Sequence, residues 1–482
     1  MSKEVYAIIL AGDSGDRLWP FTGKLHPNNT FAEKEEYTLF QQMFIKLIDC
    51  VDDKNIICTT DTKSREYING QLKELQEKFC RTTEYNVVEE PAPRGTMSAI
   101  ALSVKYILEK CAKEGEDPTI AVLPSDQIIS GNMKLDYFLE KGKEIAEAGY
   151  IVCMGTKLDK PSKYFGYMST RNDKKIAEIS SRGFKVSSFV EKPSLNEVKK
   201  LVKDKKVFAN CGIYMFNAST FLTQLKLSAP EVYKALDAIE IKNTAPCVEL
   251  KQYETLSSFS FETEMLEQSK KLAMISVKVD MKDCGYWGAV DEITPKNRNS
   301  SSFVGNTVDI GSENTFVYSS SRLVATMGLK DTYVIETPET VLVCAKDDIE
   351  KTQKLIDKIK KSGDNKQLIN QTVMKPWGYY TVLQTGEGYL TKCIYVNPHA
   401  RLSLQTHDHR SEHWVVLTGK AKVIKGEQEL ILNVSEGVDI AVKEPHSLQN
   451  PFDEPLKILE IQTGELLSED DITRLEDIYG RV

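Results

Sequence analysis

The residues best suited to chemistry stand close together near the C-terminus. They are Gln405-Thr406-His407-Asp408-His409-Arg410-Ser411-Glu412-His413, with His446 further on. His399 lies in the same stretch, so five of the chain's six histidines are gathered there. Imidazole nitrogens and a carboxylate are donors that a divalent transition metal takes, and zinc, cobalt, nickel, manganese and iron all accept such a set. On a strand, residues two apart point the same way, so Gln405, His407 and, by the same parity, His409 share a face. Glu412 opens the next strand, Gly419 falls where a hairpin must turn, and His446 arrives from a distant strand. If that face lines a barrel, three or four N and O ligands meet around an open interior. His413 follows Glu412 on the opposite face and is read as a packed or exposed ring; His399 is read as structural.

Such a site needs many short strands, and residues 376–462 provide them. Segments 390–396, 414–417, 420–425 and 456–462 have strand character and are separated by turns, a pattern that indicates a small β-barrel or sandwich. A closing amphipathic helix is expected over 468–478, with Ser468 at its N-cap and acidic residues in its first turn. The first half reads differently. Val5–Leu10 is a short apolar run ending in a Gly-containing loop, and strand-like 55–59 and 120–123 alternate with helical 38–51, 64–79 and 96–111. This order predicts an α/β domain with a mostly parallel sheet covered on both faces. Ligands then sit beyond the carboxyl ends of strands, at the first loop and at Pro124-Ser125-Asp126. Polar stretches at 294–302 and 361–366 mark boundaries, giving three expected domains: 1–295, 296–365 and 366–482. Residues 303–346 of the middle one are short strands with turn residues Gly305, Asn306, Gly311 and Asn314, followed by a helix near 347–361.

Composition excludes several classes. The 482 residues are 41% hydrophobic and 27% charged, ordinary for a globular protein. With 62 Lys+Arg against 70 Asp+Glu the net charge is −8, so neither nucleic acid nor an anionic membrane is an expected partner. No apolar run approaches the ~18 residues of a bilayer span, and the start is too short and acidic for a signal peptide. Ten scattered cysteines without a C-x-x-C pair suit reduced thiols in a cytoplasm. The oligomeric state is left open, a homo-oligomer among the options.

The C-terminal spacing resembles the two-part cupin motif. Cupins place a ligand pair one residue apart, then three or four residues, a glutamate, and a glycine after six more. Counting back from Glu412, four residues intervene to His407 and two to His409. The resemblance therefore selects Gln405, His407, Glu412 and His446 as metal ligands and leaves His409 as a second-sphere or substrate group. It also shows departures: His399 stands where cupins usually have glycine, and Ala441 and Lys443 where proline and glycine are usual.

With these residues in view, nearly the whole chain resembles the bifunctional mannose-6-phosphate isomerase (type II)/mannose-1-phosphate guanylyltransferase family. Lys375-Pro376-Trp377-Gly378, the segments 402–414, 446–451, 459–464 and 469–481, and in the N-terminal half Gly12-Asp13-Ser14-Gly15-Asp16-Arg17, Glu90-Pro91 with Arg94 and Thr96, Leu123-Pro124-Ser125-Asp126, Glu191-Lys192-Pro193, Asn210-Cys211-Gly212 and Asp283 fall in family order. The resemblance implies a Rossmann-like nucleotidyltransferase domain, a short β-helix-type linker domain and an all-β cupin barrel. It implies interconversion of mannose 6-phosphate and fructose 6-phosphate in the barrel. That proton transfer passes through an enediolate, whose oxygens need positive charge. It also needs a base, for which His409 and Glu460 are the candidates. Arg410, always charged and bidentate, is expected to bind phosphate or enediolate.

For the N-terminal domain the resemblance implies transfer of GMP from GTP to mannose 1-phosphate, giving GDP-mannose and pyrophosphate. The implied binding residues are Gly12, Ser14, Gly15, Arg17, Arg94, Thr96, Glu191, Lys192 and Asn210, with Arg17 also catalytic and Mg²⁺ held by Asp126 and Asp283. In-line phosphoryl transfer rests on positioning and charge neutralisation. Here Asp13 replaces a glycine, Asp16 a threonine, Asn28 a lysine and Gly23 an arginine of the family pattern. Each carboxylate about 5 Å from a polyphosphate charge, at an effective dielectric of ~20, opposes it by roughly 3 kcal/mol. Two explanations compete: the transferase is impaired, or one of these aspartates reaches a metal ion. The functions in play are thus a metal-dependent isomerase with an impaired transferase, a fully active guanylyltransferase, and a non-catalytic sugar-phosphate or nucleotide-binding scaffold.

Overall fold

The structure is a computed structural model that describes residues 5–12, 18–20, 37–62, 64–81, 85–125, 127–130, 134–158, 161–241, 253, 256–283, 287–337, 340–361, 372–375 and 377–477. It divides into two compact units, Met1–Lys358 and Ile359–Val482. Among the described residues no helix is long and apolar enough to cross a membrane, and the described cysteines are free thiols.

In the first unit the strands are β1 (Val5–Leu10), β2 (Ile56–Asp61), β3 (Asn86–Glu90), β4 (Thr119–Pro124), β5 (Gln127–Ser130), β6 (Ile151–Thr156), β7 (Tyr167–Arg171), β8 (Gly183–Val190), β9 (Val207–Asn217), β10 (Leu272–Ser276) and β11 (Asp280–Asp283). Nine of them form one sheet in the order β3-β2-β1-β4-β9-β6-β10-β8-β7. The β1, β2, β3 and β4 ladders are parallel, as is β6 with β10; β8 and β9 run against the others. The mostly parallel sheet read from the alternating pattern is therefore present in strand direction. β1 shows why its sequence is an unbroken apolar run. Val5, Ala7 and Ile9 face one core with Phe40, Phe44, Leu72 and Phe138, while Tyr6 and Ile8 face the other with Ile100, Val104 and Phe221. Burial on both faces requires both parities to be apolar.

Three helices read from the sequence are present as α1 (Leu39–Ile48), α2 (Arg65–Lys78) and α3 (Gly95–Tyr106). Thr38 caps α1 through a reciprocal capping box with Gln41. The strand order reverses where β1 lies between β2 and β4, so a crevice opens beyond their carboxyl ends. The unit closes with β12 (Ser302–Ile310), β13 (Phe316–Met327), β14 (Thr332–Glu336) and β15 (Val341–Ala345), in which β12, β13 and β14 stack in parallel.

The second unit is all β. Its strands are β16 (Thr372–Lys375), β17 (Gly378–Gly386), β18 (Tyr389–Val396), β19 (Leu404–Thr406), β20 (Arg410–Thr418), β21 (Ala421–Lys425), β22 (Gln428–Leu432), β23 (Gly437–Ile440), β24 (His446–Gln449), β25 (Leu456–Gly464) and β26 (Thr473–Glu476). They form sheets ordered β16-β17-β18-β25-β20-β23 and β22-β21-β24-β19-β26. Gly419, at φ +77°, turns the β20–β21 hairpin; a Cβ there would lie 2.6 Å from the Pro455 carbonyl oxygen.

The closing helix expected over 468–478 does not form in the described part. Ser468 caps a single 3₁₀ turn, Glu469–Asp471, and the chain continues as β26 against β19. Tertiary bonds override the local pattern here. The Asp471 carbonyl accepts from His407 Nδ1 at 2.9 Å, and its carboxylate accepts the Asp408 and His409 amides at 3.0 and 3.2 Å.

The substitutions at usual glycine positions have a conformational cost. His399 and Lys443 both adopt left-handed φ, +58° and +66°, which costs a non-glycine residue about 1 kcal/mol or more. The Lys443 turn nevertheless closes, its amide donating to the His407 carbonyl at 2.7 Å. Lys443→Gly relieves that strain and is expected to raise the melting temperature of the chain's C-terminal unit by a few degrees, a shift readable by calorimetry.

Candidate metal centre and nucleotide cleft

Three neighbouring barrel strands change character toward the same end of the barrel. On β18 the inward residues run Val396, Ile394, Lys392; on β25 they run Leu456, Ile458, Glu460, Gln462; on β20 they run Val416, Trp414, Glu412, Arg410, and all are buried. The registers set Lys392 opposite Glu460 and Glu412 opposite Gln462. The barrel interior is therefore apolar at one end and ionisable at the other. Gln405 and His446, directly paired between β19 and β24, join the ionisable end.

There His407, Glu412 and His446 bring one donor atom each within 4.8 Å of one another. His407 Nε2 lies 3.1 Å from Glu412 Oε1, and His446 Nε2 lies 3.7 Å from Glu412 Oε2. Both rings are fixed from behind. His407 Nδ1 donates to the Asp471 carbonyl at 2.9 Å, and His446 Nδ1 donates to the Glu444 carbonyl at 2.8 Å. Each Nε2 is thereby turned into the space shared with the carboxylate, the arrangement metal-binding histidines need. His446 Nε2 is buried without a hydrogen-bond partner, and burial lowers its pKa, leaving it neutral with a bare lone pair. A cation between these atoms would satisfy that orphan. Gln405, the fourth predicted ligand, takes its place beside His407, 3.4 Å between Nε2 atoms; its Oε1 accepts from Ser403 at 2.9 Å. A flipped amide would keep the Ser403 contact and present oxygen to the centre.

The surrounding charges set the protonation states. Burial works against the Glu412 charge, yet His407, His446 and Arg410 hold its pKa well below the ordinary carboxylate range. Glu460 is pushed the other way, to about 8, by burial and by the Glu412 charge, with Lys392 opposing. Trp414 Nε1 donates to both carboxylates at 3.1 Å. Arg410 lines the cavity but is engaged within it: Nε donates to Glu412 Oε1 at 3.1 Å and a terminal nitrogen donates to the Ser468 carbonyl at 2.7 Å. Its visible work is to hold Glu412.

His409 is the correction. It is exposed, off the buried face that Gln405 and His407 share. The parity argument assumed one strand through Gln405–His409, but β19 stops at Thr406 and the chain bends at Asp408 and His409 before β20. Glu460, the other candidate base, does line the cavity, together with Lys375, Lys392, Glu469 and Arg474, which sequence reading did not single out as site residues. His413 is half-buried and His399 exposed, and they pair with Asp439 at 2.7 Å and Asp453 at 3.0 Å.

In the first unit a cleft of about 600 Å³ opens at the switch point. Gly12, Arg94, Thr96, Glu191, Lys192 and Asn210, all read as binding residues from the sequence, line it. Gly95 is at φ +77° where α3 begins, and a Cβ there would lie 2.3 Å from the Phe259 carbonyl oxygen, so the 256–262 segment can pack directly on the helix start. Glu90 also lines the cleft; burial pushes it up to about 8, against the bond from the Tyr253 hydroxyl. A carboxyl that keeps its proton near neutrality donates as well as accepts. Asp13, Ser14, Gly15, Asp16, Arg17, Gly23, Asn28 and Asp126 lie outside the described residues. The backbone of Asp283 pairs with Gln127, the residue after Asp126. The reading from sequence missed Tyr214, Ser260 and Glu262 in this cleft.

Comparison with known proteins agrees with this division. Residues 6–288 match the nucleotidyl transferase family, residues 305–359 the MannoseP isomerase/GMP-like beta-helix domain, and residues 362–477 the mannose-6-phosphate isomerase C-terminal domain. The chain is 32% identical over 479 residues to the alginate biosynthesis protein AlgA of Pseudomonas fluorescens, covering 98% of this chain and 96% of the relative. It is 30% identical over 486 residues to a mannose-1-phosphate guanylyltransferase of Escherichia coli K12, covering 100% and 99%. The solved structure of mannose-1-phosphate geranyltransferase from Thermus thermophilus shares the fold over 74% of this chain and 99% of its own, with a TM-score of 0.57 at 21% identity. The ordered run of all three domain matches, along the full length of such relatives, places the chain in the bifunctional mannose-1-phosphate guanylyltransferase/mannose-6-phosphate isomerase family of enzymes.

Proposed function

We propose that the chain is a two-site enzyme of mannose-phosphate metabolism. Its barrel, within residues 366–482, interconverts mannose 6-phosphate and fructose 6-phosphate; residues 1–295 form GDP-mannose and pyrophosphate from GTP and mannose 1-phosphate, and 296–365 link the two. The observation that carries the barrel reading is the convergence of His407, Glu412 and His446 on one buried point where His446 Nε2 is otherwise unpartnered. Gln405, His407, Glu412 and His446 would hold a divalent transition metal there, whose charge would stabilise oxygens that become negative as the proton moves. Glu460 shares the cavity and, with a pKa near 8, can both carry and release a proton around neutrality. Arg410 keeps Glu412 ionised and oriented. In the first unit the cleft residues Gly12, Arg94, Thr96, Glu191, Lys192 and Asn210 are proposed to bind nucleotide and sugar phosphate, and Asp126 and Asp283 to hold Mg²⁺.

A coupled isomerase assay on the full chain tests the barrel reading. Chelation is expected to abolish interconversion of the two hexose phosphates, and one added divalent metal to restore it. Full rate in the chelated protein contradicts metal dependence. Tight binding of hexose phosphate without product selects the scaffold reading.

A further inference from the structure

Glu262, at the start of a π-helical turn (Glu262–Leu266), faces the nucleotide cleft and collects three hydroxyl donors. Tyr214 OH donates to Oε1 at 3.0 Å; Ser260 Oγ and Thr96 Oγ1 donate to Oε2 at 2.7 and 3.2 Å. The donors come from different parts of the site. Thr96 is in the first turn of α3, Ser260 is on the segment packed against that helix start, and Tyr214 is on β9.

Tyr214 cannot be a passive member. It is 2% exposed, and burial together with the Glu262 charge raises its pKa well above the ordinary phenol value. Its proton is therefore kept and is committed to the carboxylate. With that hydrogen spent, the phenol oxygen has lone pairs left, and it accepts Asn210 Nδ2 at 2.7 Å. On its other side Asn210 Oδ1 accepts the Gly212 amide at 3.2 Å. These two bonds settle which way the buried amide faces, since a flipped Asn210 would set its nitrogen against the Gly212 N–H and its oxygen beside an oxygen whose proton is already used. Asn210 Nδ2 has a second hydrogen, and the residue lines the cleft.

We propose that Glu262 is a positioning residue that, through Tyr214, fixes the Asn210 amide so that it offers an N–H to the sugar-phosphate substrate. This rests on the transferase reading above. Thr96 and Ser260 complete the carboxylate's shell and do not pass through Tyr214.

The test uses the full chain and measures KM for GTP and for mannose 1-phosphate separately, with melting temperature as a control. Tyr214→Phe keeps the ring and its 5.0 Å packing on Phe261 but removes the middle of the relay. It is expected to raise KM for mannose 1-phosphate about tenfold, the scale of one lost buried hydrogen bond, while KM for GTP stays within about twofold. Glu262→Ala, which also releases Thr96 and Ser260, is expected to raise KM for mannose 1-phosphate at least as much, and Glu262→Gln, which keeps an acceptor for Tyr214, to recover much of that rise. In Tyr214→Phe, no change in either KM, a parallel rise in both, or a rise confined to GTP overturns the relay. If wild type forms no GDP-mannose but binds it in calorimetry, the transferase reading alone fails. The relay is then read from an expected tenfold weaker binding by Tyr214→Phe, and equal binding by wild type and variant overturns it. A wild type that binds neither GDP-mannose nor mannose 1-phosphate removes both.

Discussion

His446→Ala is expected to lower isomerase turnover by about three orders of magnitude and to leave GDP-mannose formation at its wild-type rate. The size follows from what the side chain does. The imidazole is buried, its Nδ1 is tied to the Glu444 carbonyl, and its Nε2 has no hydrogen-bond partner. Its loss removes one of three convergent donors, and charge stabilisation by a bound metal is worth several kcal/mol, or about a thousandfold in rate. Alanine also leaves a void between His407 and Trp414, whose rings lie 4.9 and 5.5 Å away. His446→Asn, which fills more of the site, separates lost ligation from lost packing. Metal content per chain, measured by elemental analysis after dialysis, is expected to fall in step with activity in both variants. A His446→Ala protein that keeps its metal and its rate would remove His446 from the ligand set.

The convergence of His407, Glu412 and His446, with Gln405 beside His407, follows short-range spacing on regular strands that the sequence displays. Gln405 and His407 precede the bend, Glu412 follows it, and each is buried on the barrel's inner side. The same locality made β1, α1 and α3 readable, since caps and apolar parity are properties of neighbouring residues. What failed depended on long-range contacts. His409 was misplaced because the bend at Asp408 is held by Asp471, more than sixty residues away. The closing helix was misread for the same reason, its segment being pinned to His407 instead of bonding to itself. Lys392 carries no local signature. Its role is visible only once β18 is laid against β25 and the lysine stands opposite Glu460. Glu262 is a similar case: two of its three hydroxyl partners, Thr96 and Tyr214, lie on segments whose order along the chain gives no hint of their meeting. His399 and Lys443 were legible as departures, and the structure explains why glycine is usual at both positions: the backbone there is left-handed.

Asp13→Gly and Asn28→Lys are each expected to raise kcat/KM for GTP by ten- to a hundredfold and to leave isomerase turnover unchanged. The reasoning is electrostatic. A carboxylate about 5 Å from a polyphosphate charge opposes it by roughly 3 kcal/mol at an effective dielectric of ~20, equivalent to some two orders of magnitude, which solvent reduces. A lysine at position 28 restores attraction of similar size. The gains should shrink as ionic strength rises, because screening removes the repulsion that the substitutions relieve. The opposite result is equally informative. If Asp13→Gly lowers the rate and raises the Mg²⁺ concentration needed for half-maximal activity, the carboxylate holds a cation and the loop is adapted for it. Steady-state pyrophosphate release at several Mg²⁺ and salt concentrations separates the two cases: repulsion predicts a gain that salt erodes, and ligation predicts a loss that excess Mg²⁺ partly restores.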